Sequence, residues 1–167
     1  GFGTLDGMME VLTLVQTGKS DPRPIVLVDT PRGSYWRPLL RFFEPQLVRG
    51  GMISPADRSI YRLVRSGAEA VEAILRFYTA YHSMRYVGER LVVRLSRPLQ
   101  AGTTERLTRE FRDLLSAGVI QQGRALPEEA DEPDLSALPR LILRFNRQSY
   151  GRLIELIDRI NALAPEA

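Results

Sequence analysis

Four residues at the start of the chain, Gly1-Phe2-Gly3-Thr4, have the types and spacing to hold a phosphate group, because they open directly into an apolar helical pattern. Glycines let the backbone come close to an anion, a helix N-terminus offers unpaired N–H groups and partial positive charge, and the Thr4 hydroxyl adds one donor. Other chemistries are excluded by what is missing. There is no cysteine, so a thiol nucleophile, a zinc ribbon and a disulfide framework are ruled out. The single His82 cannot build a histidine-rich metal site or a histidine relay. The acidic stretch from Pro127 to Asp134 (Glu128, Glu129, Asp131, Glu132, Asp134) has clustered oxygens, but its spacing fits no calcium loop and it reads as a solvated loop. No metal site is expected.

The elements that must position the opening residues follow from periodicity. Leu5, Met8, Met9, Val11, Leu12, Leu14 and Val15 predict a largely buried helix over about 4–17, stopped by Gly18. Pro24 to Asp29 (PIVLVD) is an apolar run bounded by turn residues, as in a strand of a parallel sheet covered on both faces. After a Pro31/Gly33 loop, Trp36, Leu39, Leu40, Phe43 and Leu47 predict a helix ending at Gly50-Gly51. Ser54-Pro55 starts a short helical turn, and Ile60 to Val64 is a strand. Ser66 and Glu69 form a capping box for a helix carrying Val71, Ile74, Leu75, Tyr78 and Tyr81, which ends near His82. This alternation predicts the tail of a doubly wound α/β domain over residues 1–85.

Residues 86–167 predict a second, small α+β domain of order β-α-β-β-α. Arg90 to Leu95 is a strand. A helix capped by Thr103 or Thr104 carries Leu107, Phe111, Leu114 and Leu115 to Gly118. Val119 to Gln121 and the segment around Leu141, Leu143 and Phe145 are strands, and Leu153, Ile154, Ile157, Ile160 and Leu163 mark a last helix.

The chain has 167 residues, 44% apolar and 26% charged, ordinary values for a globular protein, and no apolar run of membrane-spanning length. Of the 23 basic residues only Lys19 is a lysine. Arginines and acids alternate, which predicts a mixed solvated surface rather than the basic stripe of a nucleic-acid binder. The N-terminus has no charged region followed by an apolar core, so no signal peptide is predicted and a cytoplasmic address is expected. A glycine loop of this kind needs a strand in front of it to aim its amides, which predicts that the chain is the C-terminal part of a longer protein. The two parallel strands leave an open edge, which predicts pairing with another copy or with a further segment.

GFGTLDGMMEVLTLVQTGK, followed by PIVLVD and Tyr35-Trp36, resembles the LONELY GUY family of cytokinin-activating phosphoribohydrolases, many of them labelled lysine decarboxylase-like. The resemblance covers roughly residues 1–85. Of the family motif Pro-Gly-Gly-x-Gly-Thr-x-x-Glu, Gly1 takes the second glycine, Gly3 the third and Thr4 the threonine. It implies a Rossmann-like fold, a nucleoside 5′-monophosphate (AMP-like) substrate, hydrolysis of its N-glycosidic bond to free base and ribose 5-phosphate, a dimer, and no metal or organic cofactor. Gly1, Gly3 and Thr4 would hold the phosphate. Lysine decarboxylase activity is not expected, since Lys19, just past a helix end, has no sign of a pyridoxal phosphate pocket. The motif glutamate falls on Gly7, which carries no carboxylate to orient water or to stabilise an oxocarbenium-like state. Asp6 points about 100° away around the helix, whereas Glu10 returns to roughly the same face about 5 Å further on and is the catalytic candidate. The alternative is a non-catalytic nucleotide-binding or assembly module.

Overall fold

The computed structural model describes residues 1–164. It is mixed α/β, with a two-stranded parallel sheet and a four-stranded antiparallel sheet. Residues group into two compact units. The first comprises Gly1–Arg76 and Gln148–Glu155, the second Phe77–Arg147 and residues 156–164.

In the first unit, helix α1 (Phe2–Gln16) is followed by strand β1 (Ile25–Val28), helix α2 (Trp36–Phe42) and strand β2 (Tyr61–Val64). The strands pair in parallel register, Ile25 with Tyr61 through Val28 with Val64. Met8 of α1, Leu27 of β1 and Phe43 form one core cluster, joined by Trp36, Leu39, Leu40, Leu47 and Leu63. Val15, Ile60 and Ile154 form a second. The predicted helix through Leu47 is interrupted. After Phe42 the chain continues as a π-helix over Phe43–Val48, because Pro45 has no N–H to give the Arg41 carbonyl and its ring crowds that turn. Ser54 caps the 3-10 turn Pro55–Ile60, accepting from the Asp57 N–H while Asp57 accepts from the Ser54 N–H. Helix α3 (Gly67–Phe77) follows the predicted Ser66/Glu69 box, and the Glu69 N–H donates to Ser66 Oγ at 3.1 Å.

Two sequence expectations are corrected in the second unit. The helix expected to reach His82 stops at Phe77, and Tyr81–Val87 is strand β3, which runs across residue 85. The stop is fixed from far along the chain. Buried Asn161, in helix α5 (Tyr150–Leu163), accepts the Ala80 and Tyr81 N–H groups on Oδ1 and donates to the Phe77 carbonyl. His82 is therefore an exposed strand residue, hydrogen-bonded through Nδ1 to Ser83 Oγ at 2.9 Å. The second correction concerns helix α4 (Thr103–Glu110), which ends eight residues before Gly118 and gives way to a 3-10 turn and the long strand β5 (Leu115–Gly123). Phe111, at φ −120°, has left the helical region. With β4 (Arg90–Leu95) and β6 (Arg140–Phe145) the sheet order is β3-β4-β6-β5, all antiparallel.

The acidic stretch is solvated along most of its length, but Glu129 within it is buried. Arg94 and Arg140 are register partners on β4 and β6, so two guanidiniums share one sheet face. Glu129 lies between them. Its Oε1 accepts from Arg94 Nε (3.0 Å) and Nη2 (2.8 Å) and from Arg140 Nη2 (3.2 Å), and its Oε2 from Arg140 Nε (3.3 Å) and the Leu126 N–H (2.9 Å). All three side chains are buried. Like charges on facing strand positions repel, and the carboxylate between them converts that repulsion into a five-bond network.

Candidate functional site

The opening residues form the exposed first turn of α1, with Gly1 as N-cap. The Gly1 carbonyl accepts the Thr4 N–H at 3.2 Å and the Leu5 N–H at 3.3 Å, so the N–H groups of Phe2 and Gly3 point out of the helix end. Gly3 is not at positive φ. What the glycines supply is space: a β-carbon on Gly1, Gly3 or Gly7 would meet nothing within 4 Å. Thr4 is exposed beside these amides.

The loop after β1 flanks this helix end. Asp29 follows the last residue of β1 and is buried, its N–H bonded to the Val64 carbonyl at 2.9 Å. Its carboxylate accepts the Trp36 N–H (3.0 Å) and the Arg37 N–H (3.3 Å), closing the first turn of α2 from seven residues upstream. Held in this way, the loop brings the Tyr35 hydroxyl to 3.4 Å from the Gly1 carbonyl oxygen, to which it donates. Tyr35 packs edge-on against Trp36 at 4.8 Å between ring centres. The site thus lies past the C-terminal end of β1, where open α/β sheets place ligands. Sequence reasoning did not assign Asp29 or Tyr35 to it. The available signal was an aspartate ending an apolar strand run just before a helix.

Gly1, Gly3 and Thr4 are therefore together. Glu10 lies two turns further along α1, exposed, with no hydrogen bond or ion pair among the described residues. Gly7, between them, opens onto solvent. Lys19 is also exposed, beyond the helix end. Among the described residues no group of His, Cys, Asp and Glu is arranged to hold a metal ion. No helix among them is long and apolar enough to cross a membrane.

This arrangement coincides with a known family. Residues 1–74 match the family model described as "Possible lysine decarboxylase". Over this stretch the chain is similar to that lysine decarboxylase-like family, the one that includes the LONELY GUY proteins. The match takes in α1, β1, α2, β2 and most of α3, so the whole of the flanked helix end lies inside it. No curated protein and no solved structure matches the chain.

Proposed function

We propose that the first unit contributes to a nucleoside 5′-monophosphate site of the phosphoribohydrolase type, hydrolysing the N-glycosidic bond of an AMP-like nucleotide to free base and ribose 5-phosphate. The observation that carries this is the position of the family match over an exposed helix end, open around Gly1 and Gly3, with Tyr35 beside it. In this reading the outward amides and the Thr4 hydroxyl hold the 5′-phosphate, and the partial positive charge of α1 favours it. Glu10 is the carboxylate that stands in for the one missing at position 7, and the hydrolytic step is weakened accordingly. The reaction needs water and no resident metal or organic cofactor. The protein acts in the cytoplasm as a homo-oligomer, its two-stranded sheet edge and the exposed Val71, Ile74 and Leu75 of α3 covered by association. The division of the chain into an N-terminal nucleotide-binding part (1–85) and a C-terminal domain (86–167) belongs to the same proposal.

A second reading is favoured by Gly7 itself: the helix end binds a nucleotide without cleaving it. Both are tested on the full chain by titrating AMP calorimetrically and following adenine release, for the wild type and for Gly7→Glu, Glu10→Gln and Thr4→Val. Open space at position 7 means that the new side chain can enter without displacing a neighbour. Adenine release that rises in Gly7→Glu and falls in Glu10→Gln supports the hydrolase reading. AMP binding with no release from any variant supports the second reading. No AMP binding, or binding that Thr4→Val leaves unchanged, overturns the site.

A further inference from the structure

Arg85 of β3 is the register partner of Val92, which lies midway between Arg90 and Arg94 on β4, so the three arginines stand on one face of the antiparallel sheet. They are clasped by carboxylates of the acidic segment. Glu132 Oε2 accepts from both Arg85 Nη1 (2.7 Å) and Arg94 Nη2 (2.5 Å). Asp131 Oδ1 accepts a further bond from Arg85 Nη1 at 2.6 Å, and Glu128 Oε1 accepts from Arg90 Nη2 at 2.8 Å. One anionic oxygen held between two guanidiniums is the arrangement by which arginine forks grip a phosphoryl oxygen.

These outer carboxylates differ from Glu129. The side chains of Asp131, Glu128 and Glu132 are 64%, 53% and 38% exposed, and ion pairs at such exposure are weak and screened by salt. The buried Glu129 keeps the segment on the sheet, so the outer carboxylates can leave without unfolding it. Acidification within the physiological range does not release Glu132, because the hydrogen bonds from Arg94 and Arg85 hold its carboxyl down to about 2.

We propose that Arg85, Arg90 and Arg94 form a site for a ligand bearing two adjacent phosphoryl groups, and that Glu128, Asp131 and Glu132 occupy it as an internal competitor. Two groups are specified because two separate carboxylates now fill the site, Glu132 on Arg85 and Arg94 and Glu128 on Arg90.

The experiment titrates inorganic pyrophosphate and, separately, ADP into the full chain and into Glu128→Gln/Asp131→Asn/Glu132→Gln. The triple variant should bind pyrophosphate about tenfold more tightly than the wild type, as expected when the competitor leaves the site open in only a minor fraction of molecules. The gain should vanish when Arg85→Ala is added, and should shrink when salt is raised to about 0.2 M. If the triple variant fails to fold by circular dichroism, Asp131→Asn alone, at the most exposed position, should give a smaller gain in the same direction. Equal affinity for ADP and pyrophosphate supports recognition of the phosphoryl pair. Equal pyrophosphate binding by wild type and folded variant overturns the proposal, as does a gain that survives Arg85→Ala. A larger gain for a short single-stranded RNA than for pyrophosphate overturns the ligand class.

Discussion

Glu129→Gln isolates what the buried charge network contributes. The substitution keeps the side chain's size and one carbonyl oxygen but removes the negative charge. It also turns one acceptor into an N–H₂ donor facing groups that are themselves donors: the guanidinium of Arg94 or Arg140, or the Leu126 N–H. Arg94 keeps Glu132 as a partner, through bonds of 3.3 and 2.5 Å. Arg140, fully buried, is left with the Leu135 and Leu138 carbonyls and no counter-ion among the described residues. Removing one partner of a buried pair typically costs about 3–5 kcal/mol, because the other charge stays buried without compensation. With a urea m-value of about 2 kcal/mol/M for a small domain, the midpoint of the second unit should fall by about 1.5–2.5 M. The control is Glu128→Gln, which breaks the exposed pair with Arg90 and should cost no more than about 1 kcal/mol. The assay is equilibrium urea unfolding followed by far-UV circular dichroism, with all proteins at equal concentration. A loss from Glu129→Gln no larger than that from Glu128→Gln would refute the reasoning and show that Arg140 finds other compensation once Glu129 is neutral.

Other predictions follow from individual contacts. Stability should decline as pH falls from about 4.5 towards 2. Burial opposes the Glu129 charge, but the Leu126 N–H, Arg140 and Arg94 outweigh it and hold its carboxyl below the ordinary value. The hydrogen bonds from Arg159 and Arg106 likewise hold Glu110 at about 2. Groups with depressed folded values stabilise the fold above their unfolded pKa and lose that contribution as they protonate, so a chain equally stable at pH 3 and pH 7 would contradict this assignment. Gly151→Ala should destabilise the first unit by about 1–3 kcal/mol in thermal melts, since the new β-carbon would lie 2.6 Å from the backbone of Ala56 and Asp57, which cannot swing aside. Asn161→Ala should cost at least about 1–3 kcal/mol by leaving the Ala80 and Tyr81 N–H groups without their acceptor, and hydrogen exchange at those two amides should rise first. Asp29→Ala should cost about 0.5–2 kcal/mol as a lost cap and should also weaken AMP binding through the loop that carries Tyr35, whereas a binding change without a stability change would separate the two roles.

How much of this was legible depends on how far apart in the chain the deciding groups lie. The helix over 4–17, the PIVLVD strand, the Ser54-Pro55 turn and the Ser66/Glu69 box are written within a few residues of one another, and each appears as α1, β1, the 3-10 turn and the start of α3. The expected burial of the first helix does not follow, since α1 buries only Met8 and Val15. The spatial grouping of Gly1, Gly3 and Thr4 was equally local. Where the deciding group is remote, the local pattern misleads. Tyr78 and Tyr81 fit the helical period of Val71, Ile74 and Leu75, yet the helix ends at Phe77, where the Asn161 side chain takes the exposed backbone groups and tertiary pairing with β4 claims Tyr81–Val87. At Glu129 the acidic stretch misleads in the same way. Nothing between Pro127 and Asp134 announces burial, because the charges that desolvate Glu129 sit 35 positions upstream on Arg94 and 11 downstream on Arg140. Alternating arginines and acids therefore read as a solvated surface in the sequence. The sheet sorts them differently, since strand register places Arg94 directly opposite Arg140 and obliges the chain to supply a carboxylate between them. A charge pattern in sequence thus fixes which pairs are available, and only strand register decides which of them lose their water.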